Sequence, residues 1–332
     1  MRDTPKNSEP SRREDIIRLV QDILAKAGFY LTDCTVFRSM TFDLIGRRDR
    51  ELLFVKVLRN VDGFNRETAE EMKRITGALD GKPLIIGLHS GAGNLEDGIV
   101  YSRFDVPILT PGTLSDELLE GVPPFILAEP GGLYVRIDGP MLRRMREEMS
   151  LSLGALAEIA GVSRRAIQMY ESGMKAVIDV AQRLEDFFDQ PFVLPLADWD
   201  LKEPEETSQE HIWRPDIDES QGFESEVYGL LTEIGYSVLP TRRSAFDAIT
   251  VHGDDVVIAW LGQNLSEFRQ KAPMLDSITR IAEREAVIFL QSNTDKETAG
   301  GIPVINREEL HTIQFPEELS AVAQQRRLRR RD

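Results

Sequence analysis

The residue types best suited to metal ligation or nucleophilic catalysis are few in this chain of 332 residues. Four histidines, His89, His211, His252 and His311, lie far apart without paired spacing, so they read as surface or capped imidazoles rather than a ligand set. The single cysteine, Cys34, excludes an internal disulfide framework and reads as a small core residue. The stretch "HSGAGN" (89–94) puts a Gly-x-Gly after an apolar strand, but "LEDGIVYSR" behind it has no helical pattern. A phosphate cradle needs a helix N-terminus at that place, so a loop turn is expected. The basic run "RRLRRR" (326–331) reads as a solvated tail, with contact to a DNA backbone as the alternative. The expectation is no metal, no cofactor and no catalytic residue.

Composition sets further bounds. A hydrophobic fraction of 41% is ordinary for globular chains, and the length suits two or three domains. No run of 18 or more apolar residues is present, and "MRDTPKNSEPSRRED" lacks the apolar core of a signal peptide, so a cytoplasmic protein with no membrane partner is expected. The net charge of −16 repels nucleic acid on average, so any contact with DNA must come from a local feature.

The elements repeat. "RREDIIRLVQDILAKA" has helical spacing and stops at Gly28. "TFDLIGRRDRELLFVKVLRN" gives two strands about a turn. "RETAEEMKRITGALDG" is a helix, "PLIIGL" a strand, and "VPILTPGTLSDELLEG" a strand and helix. The same order returns in "FESEVYGLLTEIGYSV", "AFDAITVHGDDVVIAWLGQN", "APMLDSITRIAEREA", "VIFL" and "IPVINREEL". Phe42-Asp43 aligns with Phe246-Asp247, and Asn60 with Asn264, without a gap between. The reading is two copies of one α/β unit.

Between the copies, residues 141–188 carry four helical pieces. Ser152 caps "LGALAEIA", Gly161 supplies the turn, Ser163 caps "RRAIQMYES", and "IDVAQRLEDFF" follows Gly173. Leu151-Ser152, Leu156-Ala157, Gly161-Val162-Ser163, Ile167, and Glu171 followed by Gly173 closely resemble the Cro/C1-type helix-turn-helix. The resemblance implies a third helix in the major groove, with Arg164, Arg165, Gln168 and Met169 toward base edges. It implies phosphate contacts from Lys175 and, in place of the polar residue the family often has where Leu153 stands, from Ser152; Ser163 is counted among the DNA-binding residues. It also implies a structural ion pair, Arg146 with Glu171, and a homodimer on two half-sites.

The flanking copies resemble the restriction-endonuclease-like, or PD-(D/E)xK, core. The resemblance implies an Asp on one strand and an acid-x-Lys on the next, holding a divalent metal. Asp43 and Lys56 fit, but Phe54 occupies the acid position and Glu51 points to the other face. In the second copy Asp247 is kept, with Ile258 and Trp260 at the other positions. The whole order, with "YVRIDGPMLRRMREEMSLSLGALAEIAGVSRRAIQMYESG", resembles an archaeal helix-turn-helix transcriptional regulator family.

The expected fold is α/β flanking domains, duplicated and restriction-endonuclease-like, around a central all-α helix-turn-helix. The expected boundaries are 1–122 and 221–318 for the copies, 123–140 for a hairpin connector, 141–196 for the helix-turn-helix, 197–220 for a linker and 319–332 for a basic tail. The expected function is sequence-specific binding of double-stranded DNA by a regulator without enzymatic activity. The alternatives are a nuclease targeted by the helix-turn-helix and an adaptor that binds no DNA.

Overall fold

The computed structural model describes residues 12–32, 41–196, 199, 222–268 and 272–328. Cys34, His211, most of the linker and the last residues of the basic run lie outside these. In chain order the elements are α1 (Arg13–Lys26), β1 (Tyr30–Leu31), β2 (Leu44–Arg48), β3 (Glu51–Asn60), α2 (Arg66–Ala78), β4 (Lys82–Ser90), β5 (Gly93–Asn94), β6 (Ile99–Arg103), β7 (Val106–Leu109) and α3 (Pro111–Glu120). The middle holds β8 (Ile126–Glu129), β9 (Gly132–Ile137), α4 (Gly139–Glu148), α5 (Leu153–Ala160), α6 (Arg164–Glu171), β10 (Ala176–Val177), α7 (Ile178–Phe188) and β11 (Val193–Leu194). Then come α8 (Phe223–Glu233), β12 (Ser237–Pro240), β13 (Ala248–His252), β14 (Asp255–Gly262), α9 (Ala272–Ala282), β15 (Glu285–Leu290), β16 (Thr298–Ala299), β17 (Ile302–Asn306), α10 (Arg307–Leu310) and α11 (Pro316–Leu328). Among the described residues no helix is long and apolar enough to cross a membrane.

The chain forms two compact units, one of residues 1–27, 57–64 and 84–203, the other of 28–56, 65–83 and 204–332. The first α/β copy is therefore divided between them, unlike the sequence boundaries. In the first unit α1 buries Ile16, Val20, Ile23 and Leu24, one helical face, and packs on α3. Strands run in the order β4-β7-β6-β8-β9-β10, with β11 also on β9 and β5 folded back on β4. The "HSGAGN" turn is that β4–β5 fold, and the Gly91 N–H donates to the Asp62 carboxylate at 2.5 Å. The expected connector, β8–β9, belongs to the helical domain: Val135 and Ile137 share a core with Leu142, Leu156, Ile167 and Leu184. Strand β9 also pairs with β10 and β11, contacts no local sequence pattern announces.

In the second unit β13 and β14 repeat the β2–β3 hairpin residue for residue. Leu44 faces Val55 and Ile45 faces Phe54, as Ala248 faces Ala259 and Ile249 faces Ile258, each 204 positions on. The Asp43 N–H donates to the Val55 carbonyl at 2.7 Å, and Asp247 to Ala259 at 3.0 Å. Asn60 accepts from the Asp62 N–H, and Asn264 from the Ser266 N–H. The sheet order is β12-β13-β14-β15-β17-β16, with β14, β15 and β17 parallel. The expected basic tail is instead largely helix α11, which buries Leu319 and Ala323 against this sheet. Arg326 donates to the Val304 carbonyl and the Glu309 carboxylate, and Arg327 pairs with Glu285 at 2.7 Å. Those arginines neutralise acids of their own domain, which removes them from the solvated run.

Candidate nucleic-acid interface

Helices α4 to α7 are set by their ends. The Ser152 hydroxyl accepts from the Ala155 N–H at 3.1 Å and the Ser163 hydroxyl from the Ala166 N–H at 3.2 Å, so each serine caps the helix it precedes. Gly161 sits at φ +68°, the left-handed conformation that lets α5 end and α6 begin within three residues. Arg183, on α7, closes the turn from behind by donating to the Ala160 carbonyl at 3.0 and 2.9 Å. Gly139, opening α4, lies under the C-terminal turn of α6: a β-carbon there would come within 2.6–2.8 Å of the Tyr170 and Glu171 backbone.

Arg146 and Glu171 join α4 to the end of α6. Nε meets Oε1 at 2.5 Å and Nη2 meets Oε2 at 3.1 Å, while Nη1 donates to the Leu151 carbonyl at 3.0 Å. The side chains are only 13% and 9% exposed, so the pair is a buried, bidentate one. The hydrogen bond it donates to Glu171 holds the guanidinium above its usual range, against the opposing effect of burial.

Helix α6 has two faces. Ile167 and Tyr170 are buried; Arg164, Arg165 and Gln168 are exposed, with Met169 half-buried beside them. The cations of this domain divide accordingly. Arg146 and Arg183 are engaged inside, and Arg143 pairs with Glu147 at 2.9 Å. Among the described residues none gives a hydrogen bond or ion pair to the side chains of Arg164, Arg165 or Gln168. Arg164 leans back over α5, where a β-carbon on Gly154 would lie 2.7 Å from its Nε. Its guanidinium thus sits against the first turn of α5. Lys175 is engaged differently from these arginines. Its ammonium is 2.5 Å from the Glu129 carboxylate and mostly buried, so its charge is already matched by the β8–β9 hairpin.

The strand positions that would hold a metal in the first copy are packed. Lys56 Nζ stands 3.5 Å from Asp43 Oδ1, and the side chains are 11% and 2% exposed. Phe54 is fully buried and meets Phe42 edge-on, ring centroids 5.2 Å apart. Glu51 pairs with Arg48 at the far end of the hairpin. In the second copy Asp247 accepts from the Leu261 N–H at 2.8 Å, and Trp260, where Lys56 stands in the first, donates to the Ala245 carbonyl at 2.6 Å. One carboxylate beside a lysine, with phenylalanine in the second acid's place, does not fit a divalent cation. Among the described residues no group of three or more His, Cys, Asp or Glu side chains could hold one.

Sequence reasoning missed Arg183 and the Glu129 partner of Lys175, because each meets a residue 23 or 46 positions away. Gly139 and Gly154 were missed as well, since a close approach leaves no periodicity.

These features define a class: a Cro/C1-like helix-turn-helix built into a chain of duplicated endonuclease-like α/β units. Comparison with known proteins agrees. Residues 142–193 match the helix-turn-helix family, and residues 13–124 match the PD-(D/E)XK superfamily domain. A protein of Haloquadratum walsbyi is 35% identical over 95% of this chain and 97% of its own length, and one of Halorubrum lacusprofundi is 35% identical with the same coverage. One of Methanosarcina barkeri is 34% identical over 95% of this chain and 98% of its own. All three carry the name "Putative HTH-type transcriptional regulatory protein". The chain belongs to this archaeal family of helix-turn-helix transcriptional regulatory proteins. No solved structure matches it.

Proposed function

We propose that the protein is a cytoplasmic, sequence-specific DNA-binding regulator of transcription that lays α6 in the major groove and cleaves no DNA. The division of cations in the helical domain carries this reading: Arg143, Arg146, Lys175 and Arg183 are matched within the domain, while Arg164 and Arg165 at the start of α6, with Arg144 on α4, are exposed and uncommitted. Arg165 and Gln168 address base edges, a geometry suited to guanine and adenine. Met169 adds an apolar contact of the kind that meets a thymine methyl. Arg164, held at the N-terminus of α5, addresses a phosphate together with that helix end. Ser152 and Ser163 act by fixing helix ends, and Lys175 by tying the hairpin to the segment after α6. With a chain charge of −16, so local a contact must be strongly salt dependent.

The test is capture of genomic fragments by the full chain, then binding to the shared sequence and to a scrambled duplex at one salt concentration. Arg165→Ala and Gln168→Ala should each weaken specific binding by about 1–3 kcal/mol and leave scrambled binding nearly unchanged. Equal loss on both duplexes would reassign them to phosphate. The PD-(D/E)XK match favours a nuclease as the second reading. Phe54 and Trp260 oppose it, and the expected result is no Mg²⁺- or Mn²⁺-dependent cleavage. Cleavage abolished by Asp43→Ala would establish that reading instead.

A further inference from the structure

We propose that the two α/β copies form one closed pseudo-dimer within each chain, so that the protein works as a monomer and offers DNA a single recognition helix. The contact has the form of an isologous interface, in which a two-fold axis brings equivalent residues together and exchanges equivalent elements. Phe42 and Phe246 are equivalent in the repeat, both buried, and their ring centroids lie 6.5 Å apart. Helix α9 of the second copy packs on β2 of the first, and α2 of the first packs on β13, the strand equivalent to β2. The Thr41 N–H donates to the Arg243 carbonyl at 2.9 Å.

The polar ties across this contact are not symmetric: both come from side chains of the first copy. Glu71, buried on α2, accepts the N–H groups of Arg242 and Arg243 at 2.9 and 3.0 Å. Arg47 donates to the carbonyls of Ile281 at 2.7 Å and Ala282 at 3.0 Å, at the C-terminus of α9. The helices align through Thr76 and Thr279, which donate to the carbonyls of Lys73 and Asp276, so Met274 is the counterpart of Glu71. Val251 is the counterpart of Arg47. Neither can make the reciprocal bond. Two second copies together would place Met274 against the Arg242 and Arg243 amides and leave them without an acceptor. A pair of second copies is thereby disfavoured, and one chain already holds a first and a second copy joined. The dimer implied by the Cro/C1 resemblance therefore has no open copy–copy face to use.

The clause on DNA rests on the helix-turn-helix reading; the pairing does not. The experiment uses the full chain. Light scattering at micromolar concentration should give the mass of one chain, and a mass of two chains would overturn the monomer. Thr41→Cys with Arg243→Cys, in a Cys34→Ser background, tests the pairing, because residues joined by a backbone hydrogen bond fall within the roughly 4.4–6.8 Å between α-carbons that a disulfide spans. Oxidation should give a cross-link within one chain on a non-reducing gel. A covalent two-chain band, or no cross-link, would overturn the pairing. On a captured duplex the expected stoichiometry is one chain per recognised site, and two chains would overturn the single-helix statement. A protein that binds no duplex would sink the DNA reading, while the mass and the cross-link still decide the pairing.

Discussion

Each compact unit holds a buried ion pair, and the two are held differently. In the helical domain Arg146 and Glu171 meet through both carboxylate oxygens, and the remaining guanidinium nitrogen reaches the Leu151 carbonyl. In the endonuclease-like copy Lys56 Nζ stands 3.5 Å from Asp43 Oδ1, on strands that also carry the packed rings of Phe42 and Phe54. The first geometry saturates the groups it desolvates, which is the condition for a buried pair to hold a structure together. The second keeps two of the residue types of a metal site without the third. Burial alone thus does not say what a charge pair is for; the closeness of the two groups and the residue types beside them do.

The comparison breaks first at Glu171. Glu171→Ala strands Arg146 and should cost about 3–5 kcal/mol, with loss of DNA binding although no base-contacting residue has changed. Arg146→Met with Glu171→Leu leaves no charge unpaired and should recover most of that stability. Calorimetric unfolding of the full chain measures both, and singles that melt like the parent would mean the pair is solvated. Lys56→Met should cost less, about 1–3 kcal/mol, since the contact it removes is a long one. A loss equal to that of Glu171→Ala would erase the distinction.

Two smaller effects sharpen it. Arg164 is the uncommitted counterpart of Arg146, and Gly154 gives it room. Gly154→Ala should stabilise α5 by about 0.5–1 kcal/mol while pushing the guanidinium aside, so that DNA affinity falls as stability rises. Parallel changes in both would show that Arg164 does not work from that position. At the exposed extreme, Glu226 accepts from Arg307 at 2.7 Å and His311 at 2.8 Å, and chiefly the Arg307 bond holds its carboxyl below the ordinary value of 4.5. A lowered acid stabilises the fold above pH 4.5 and loses that contribution as the pH falls further. Arg307→Ala should therefore cost about 0.2–1 kcal/mol near neutrality and flatten the acid limb of stability against pH. An unchanged acid limb would remove the pair from the account.

The helices of the domain were legible because their signals are local: Ser152 and Ser163 cap, Gly161 turns, and Leu156 with Ala160 and Ile167 with Tyr170 keep helical spacing. The duplication was legible from Phe42-Asp43, Phe246-Asp247 and the two asparagines. What stayed hidden depends on partners distant in sequence. The β8–β9 hairpin looked like a connector because its core neighbours and its partner strands, β10 and β11, lie beyond α4. Arg326 and Arg327 looked like a tail because charge composition does not reveal that Glu309 and Glu285 lie opposite. Of the candidate site, α6 and its outer face were legible, but the capture of Lys175 by Glu129 was not.

The constant step between the two hairpins has a consequence for how this gene can change. From Phe42 to Asn60 every counterpart stands 204 positions on, yet from Lys73 and Thr76 the step is 203, to Asp276 and Thr279. Since the copies parted, many side chains have been exchanged within the hairpin, lysine for tryptophan among them, with no net gain or loss of a residue. Between the hairpin and the helix that follows it, the lengths differ by one residue. An added residue inside a strand would turn every following side chain to the opposite face. Chain length is the stricter heirloom here, and amino-acid identity the looser one.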